Sequence, residues 1–185
     1  LFTDYHDPMV GKHAVWVLES MGFEVMLSKV QELGRTFLSK GLLDKALETA
    51  ETVVEGLAPF AQKNYPIIGL EPSEILTIRD EYLDLVPDAQ LQAAKTLASK
   101  TYTFEEFVAL HKDRFPTTRL NPISKAPKVV LHGHCHTKAL IGNTATIKAL
   151  ELAGYDVEAM DTGCCGMAGS FGYDQETYEL SMEIG

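Results

Sequence analysis

The stretch 161-DTGCCGMAGSFGYD-174 decides how this chain is read, because it sets two of only three cysteines side by side among glycines and small residues. The third, Cys135, stands 29 positions before Cys164, inside 132-HGHCH-136. Each stretch comes at the end of a segment that reads as a strand, 128-KVVLHG-133 in one case and 155-YDVEAM-160 in the other. Between them, 137-TKALIGNTATIKALELAG-154 has the spacing of a helix. Strand, helix, strand with a loop after each strand is the sequence form of a parallel unit, in which ligands sit beyond the carboxyl ends of the strands. This predicts His132, His134, Cys135 and His136 in one such loop, with Cys164 and Cys165 in its neighbour.

The same grammar runs earlier in the chain. Residues 1–4 (LFTD) read as a short buried strand, Pro8–Met21 as a helix, 23-FEVML-27 as a strand, 42–63 as a long amphipathic helix and 66-PIIGLE-71 as a strand. Trp16 reads as core. A helical region from Pro72 to Asp113 follows, in which 103-TFEEF-107 offers Thr103 as a cap with Glu106 at the third helical position. The proline-rich 114-RFPTTRLNPISKAP-127 reads as a long loop, and a final helix is expected from about Tyr173. Setting Leu18 against Leu150 gives an offset of 132 that also pairs Glu19 with Glu151, Gly22 with Gly154, Val25 with Val157 and Gly34 with Gly166. The expected fold is therefore α/β: two related Rossmann-like βαβ units with parallel sheet and flanking helices. The expected division is 1–87, a connector over 88–127, and 128–185. In the first unit 31-QELG-34 stands where the second has 163-GCCG-166, so Glu32 and Leu33 replace the two cysteines.

Composition narrows the partners. The chain has 185 residues and a formal net charge of −10, with no cluster of Lys and Arg to displace counterions, so nucleic acid is an unsuitable partner. No apolar run is long enough to span a bilayer and no leader pattern precedes a cleavage site, which predicts a cytoplasmic location. The opening at Leu1 and the close inside a helical pattern at Gly185 predict a piece of a longer polypeptide. Three clustered cysteines in such a setting point to metal or redox chemistry before disulfide stapling.

Thiolates select iron–sulfur clusters, zinc or copper(I) over hard cations. Gly163, Gly166 and Gly169 leave room for backbone to approach an inorganic cluster and donate N–H groups to its sulfur. A vicinal pair suits a multinuclear cluster better than one tetrahedral zinc, because neighbouring side chains diverge. Zinc held by Cys135, one of the pair and a histidine stays open, as does a strained vicinal disulfide. Cys135, Cys164 and Cys165 are the candidate metal ligands, with His134 as a further candidate.

The HGHCH run, then about thirty residues on D-T-G-C-C-G-M-A-G-S-F-G, resembles the cysteine-rich CCG domain of heterodisulfide reductase. The same domain occurs in the iron–sulfur subunits of glycolate oxidase and anaerobic glycerol-3-phosphate dehydrogenase, and in fused flavin dehydrogenases. The segments 39-SKGLLDKA-46 and 69-GLEPSEILTIRDEY-82 resemble the first CCG unit of the fused flavoproteins, so the likeness covers nearly the whole chain. It implies electron transfer through a 4Fe-4S type cluster, away from an FAD domain of the same polypeptide that oxidises a 2-hydroxy acid, toward an acceptor at the inner face of the membrane. The isolated chain is not expected to turn over. A complete unit of that family carries a further cysteine motif: the strand at Pro66, offset by 132, falls at 198, beyond the chain. The resemblance thus implies a second unit truncated at its C-terminus, weak cluster binding, and an uncovered edge that favours self-association. It also implies that Glu32, Leu33 and Glu74 stand where cysteine-bearing relatives place ligands. The competing expectation is a degenerate docking module, with zinc or no metal and no redox role.

Overall fold

A computed structural model describes residues 2–29, 32–116, 126–169 and 171–185. Most of the expected loop at 114–127 falls outside the described residues.

The N-terminal strand is not formed. Phe2–Tyr5 is a single helical turn, α1, followed by α2, Pro8–Ser20, with proline in its first turn where the missing N–H costs nothing. Glu71 fixes α1: its Oε1 accepts from the Thr3 N–H (3.0 Å) and the Thr3 hydroxyl (3.2 Å), an anchor no apolar count reveals. Gly11 makes room, since a Cβ there would stand 2.7 Å from Thr3 Cγ2. The strand expected at 23–27 is absent too. Side chains over Met21–Met26 alternate in burial as they would in a strand, yet the backbone has no partner ladder and no regular structure. Phe23 instead anchors the segment, its ring 4.9 Å from that of Phe107 and 5.1 Å from that of His111, with the Arg114 guanidinium 4.8 Å above it. Trp16, expected in the core, is 52% exposed.

From here the helical periods hold. After α3, Arg35–Ser39, comes α4, Leu43–Gln62, whose buried stripe is Ala46, Ala50, Val53, Val54, Leu57, Ala58 and Ala61. Strand β1, Ile67–Gly69, leads into α5, Pro72–Ile75, a 3-10 turn at Leu76–Ile78, and α6, Tyr82–Leu85. The long helical region breaks here and again at Pro87, before α7, Asp88–Ser99. The partner of β1 is a strand without a sequence forecast, β2, Thr101–Thr103, paired parallel with Ile67 opposite Thr101. Thr103 then caps α8, Phe104–Leu110. Its side chain accepts from the Glu106 N–H while the Glu106 carboxylate accepts from the Thr103 N–H, the reciprocal box the sequence predicts. Arg79 clamps the same carboxylate at 2.8 and 2.9 Å, tying α8 to the 3-10 turn.

The second pair is β3, Lys128–Leu131, and β4, Asp156–Ala159, parallel, with Lys128 opposite Asp156 and Leu131 opposite Ala159. The single helix expected between them is two, α9 at Cys135–Leu140 and α10 at Thr144–Leu152, because Gly142 at φ +72° turns the chain. A 3-10 turn, Phe171–Tyr173, precedes α11 at Tyr178–Ile184, which begins later than the expected Tyr173.

The described strands thus form two separate two-stranded parallel sheets. The hydrophobic core lies between α4, α5, α6 and α7, centred on Val53, Leu76, Ile78, Tyr82 and Leu97. Among the described residues, no apolar side chain after Val108 is fully buried. The site-bearing segment leans on the core through Ile141, which packs against it, and through contacts of α9 with α5 and of α10 with α8.

Candidate functional site

Parallel pairing of β3 with β4 delivers two loops to the same end of one sheet. The ladder ends where the Met160 N–H bonds the Leu131 carbonyl at 2.9 Å, so residues 132–136 and 161–166 leave the sheet side by side. Two contacts join them beyond the strands. His132 Nδ1 lies 2.9 Å from the Thr162 hydroxyl, and Lys138 Nζ donates to the carbonyls of Thr162 (3.1 Å) and Gly163 (3.2 Å).

Cys135 is the first residue of α9, Cys164 and Cys165 sit in the second loop, and all three are exposed free thiols. The Gly166 N–H donates to Cys164 Sγ at 3.3 Å. Gly166 itself is buried at φ +78°, a left-handed conformation that a side chain resists, and an added Cβ would collide with the Ser181 carbonyl oxygen. Ser181 donates its hydroxyl to the Gly166 carbonyl at 2.6 Å, so α11 holds the turn after the cysteine pair. Of the other two candidate glycines, Gly163 is exposed with its carbonyl on Lys138, and Gly169 lies against Ser39 of α3. On the first loop Gly133 is buried against Asn143, whose side-chain amide occupies the space a Cβ there would need.

His134 is the N-cap of α9: its Nδ1 accepts from the His136 N–H at 3.2 Å. A lone pair so used requires the neutral ring, and desolvation, with the neighbouring His136 second, holds His134 below the ordinary histidine range. Capping and metal ligation through Nδ1 are mutually exclusive. His136 is also held low, first by burial and then by the Arg35 guanidinium, while Glu81 and Asp80 pull the other way. Its Nδ1 is buried and makes no hydrogen bond.

The donor types suit a soft-metal centre: three accessible thiols on two adjoining loops, with an N–H donor to one sulfur. Their grouping is partial, since among the described residues no three His, Cys, Asp or Glu side chains come together as a metal set. Were a centre bound, Cys135, Cys164 and Cys165 would hold it and Gly166 would donate to its sulfur. Lys138, Ser181 and Asn143 went unnoticed in the sequence. Lys138 gains its role from the register of β3 on β4, Ser181 from the contact of α11 with Gly166, and Asn143 from its packing on Gly133.

Around Leu33, which the sequence offset of 132 sets against Cys165, other side chains of the protein fill the space. Glu74 lies against the backbone N–H groups of Leu33 and Arg35, and Tyr82 donates its hydroxyl to the Leu33 carbonyl at 2.9 Å. Burial, with Glu71 adding to it, raises Glu74 above the usual carboxylate range, and the two backbone bonds pull only partly back. Glu74 Oε2 is buried without a partner. A carboxyl raised in the folded state binds more protons than it does unfolded, so its contribution is complete below pH about 4.5 and is lost as pH rises through the higher folded value. Glu74→Gln is therefore expected to raise the urea midpoint at pH 8 and leave it unchanged at pH 4. An unchanged or lower midpoint at pH 8 would show that the carboxylate is not strained.

No family model matches the chain, and no solved structure matches it. Among curated proteins it is 30% identical over 187 residues to a subunit of the anaerobic glycerol-3-phosphate dehydrogenase of Escherichia coli, covering 100% of this chain and 46% of that protein. It is 29% identical over 185 residues to D-2-hydroxyglutarate dehydrogenase of the same species, covering 99% of this chain and 17% of that protein. Lactate utilization protein A of Halalkalibacterium halodurans is 27% identical over 177 residues, covering 91% of this chain and 68% of that protein. No described helix is long and apolar enough to cross a membrane. From end to end, then, the chain is similar to proteins named as dehydrogenases or as part of one, while spanning less than half the length of the first two.

Proposed function

We propose that this chain is the electron-transfer region of a flavin-linked dehydrogenase that oxidises a 2-hydroxy acid of the lactate or glycolate kind. Cys135, Cys164 and Cys165 are its iron–sulfur ligands. The observation that carries the reading is the meeting of two cysteine loops at one end of the β3–β4 pair, clasped by His132 to Thr162 and by Lys138 to Thr162 and Gly163. The names of the relatives support the reaction class. The division into a first unit at 1–87, a connector at 88–127 and a second unit at 128–185 belongs to the same proposal, with Thr101–Thr103 of the connector completing the first sheet. So do an FAD domain in the same polypeptide, an electron acceptor, and a place in the cytoplasm at the inner membrane face.

A 4Fe-4S centre supplies one-electron transfer when bound. The chain contributes thiolates on two loops, the Gly166 N–H at Cys164, and a turn locked by Ser181. Hydride chemistry belongs to the flavin, and the protein's task at this end is to hold and tune the centre.

A docking module without redox role is the second reading, and one observation favours it: no three donors among the described residues form a metal set. Iron, zinc and acid-labile sulfide are to be measured on the full polypeptide purified without oxygen. Iron and sulfide in near-equal amounts are expected. Zinc alone, or neither metal, would give the docking reading the field.

A further inference from the structure

We infer that Lys138 is the positioning residue of the cysteine site. Its ammonium sets the 162–166 loop against α9 and places a fixed positive charge beside the sulfur ligands; the inference rests on the reading of Cys135, Cys164 and Cys165 as ligands. Lys138 lies three residues after Cys135 on α9 and is half-buried, although the cysteines it serves are exposed. Of its three N–H donors, two go to consecutive carbonyls, Thr162 at 3.1 Å and Gly163 at 3.2 Å.

Consecutive carbonyls turned toward one cation fix the peptides that carry them. No peptide bond in the described chain is cis, so each C=O points opposite to the N–H of the next residue. With the Thr162 and Gly163 oxygens on Lys138, the N–H groups of Gly163 and Cys164 face away from the ammonium. Lys138 thereby fixes the direction of these two N–H groups, in the same loop as the Gly166 N–H that donates to Cys164 Sγ. A long lysine side chain loses about 2 kcal/mol of rotamer freedom when held still, so a surface role alone would leave it mobile. The ammonium also brings a positive charge, in a chain of net charge −10, to the carbonyl of the residue that precedes Cys164.

The full polypeptide, purified without oxygen, is compared with Lys138→Met and Lys138→Arg. Three quantities are read: iron and sulfide retained, reduction potential, and amide exchange over 162–166 in the metal-free protein. Lys138→Met is expected to lower metal affinity by about tenfold or more. It should also move the potential to more negative values and speed exchange at Gly163 and Cys164. Lys138→Arg, which keeps the charge and the donors, is expected to recover the potential and most of the iron. Wild-type iron, potential and exchange in Lys138→Met would overturn the role. If the unaltered protein holds no iron, the cluster reading fails by itself, and exchange in the metal-free protein decides the clasp: faster in Lys138→Met sustains it, unchanged sinks it.

Discussion

Tyr82→Ala is expected to cost about 3–5 kcal/mol, enough to unfold most of the chain at 37 °C if its total stability lies in the usual range of about 5–15 kcal/mol. Tyr82 is fully buried at the head of α6, among Val53, Leu76, Ile78 and Leu97 of the core. Removing the ring leaves a cavity that neighbours on α4, α7 and the 3-10 turn can fill only in part. Removing the hydroxyl strands the Leu33 carbonyl, which it serves at 2.9 Å. Burial, with the Glu74 carboxylate second, pushes the phenol pKa up, so the group stays a protonated donor at every working pH. Tyr82→Phe separates the two effects: it keeps the packing and is expected to cost about 1–3 kcal/mol, the penalty of an orphaned buried acceptor. Urea midpoints of both variants check this. A loss below about 1 kcal/mol in Tyr82→Ala would contradict the placement of the core.

Cys164→Ser combined with Cys165→Ser is expected to reduce iron and sulfide in the full polypeptide to background and to abolish electron delivery to the acceptor. Fold stability of the metal-free protein should hardly move. Both thiols are exposed, and exposed substitutions away from caps and cores stay within about 0.5 kcal/mol. The contrast between a lost centre and an unmoved midpoint is the diagnostic result. Unimpaired turnover in the double variant would sink the electron-transfer proposal and favour docking. A collapsed midpoint in the metal-free protein would instead assign the pair a packing role.

Legibility of the chain followed burial. Where a face meets the core over several turns, as in α4, the helical period placed the helix, and the Thr103 to Glu106 box could be read from four letters. The segment at 23–27 misled because alternation reports which side chains face inward, not whether another strand lies within hydrogen-bonding reach. α1 misled because its anchor, Glu71, lies 68 positions away. Strand β2 was invisible for the opposite reason: three residues between two helices carry no period. At the candidate site, local sequence named the cysteines and glycines. It could not name Lys138, Ser181 or Asn143, whose roles come from tertiary contacts: with the opposite loop, with the turn at Gly166 and with Gly133. It also named His134 as a further candidate ligand, and the structure gives its Nδ1 to the cap of α9.

The absence of fully buried apolar side chains after Val108, among the described residues, has a kinetic side. The chain has one well-packed body and one segment held by hydrogen bonds, glycine turns and a few contacts on α5 and α8. Such a segment opens at a lower free energy than the body does. Anything that binds only the closed form then closes it further, in proportion to its concentration over its dissociation constant. The metal-free protein should be nicked by a protease after Lys128, while the body up to Arg114 survives intact, and a bound centre should suppress that cut. The half that carries the cysteines would thus exchange rigidity for responsiveness, its lifetime set by what it holds.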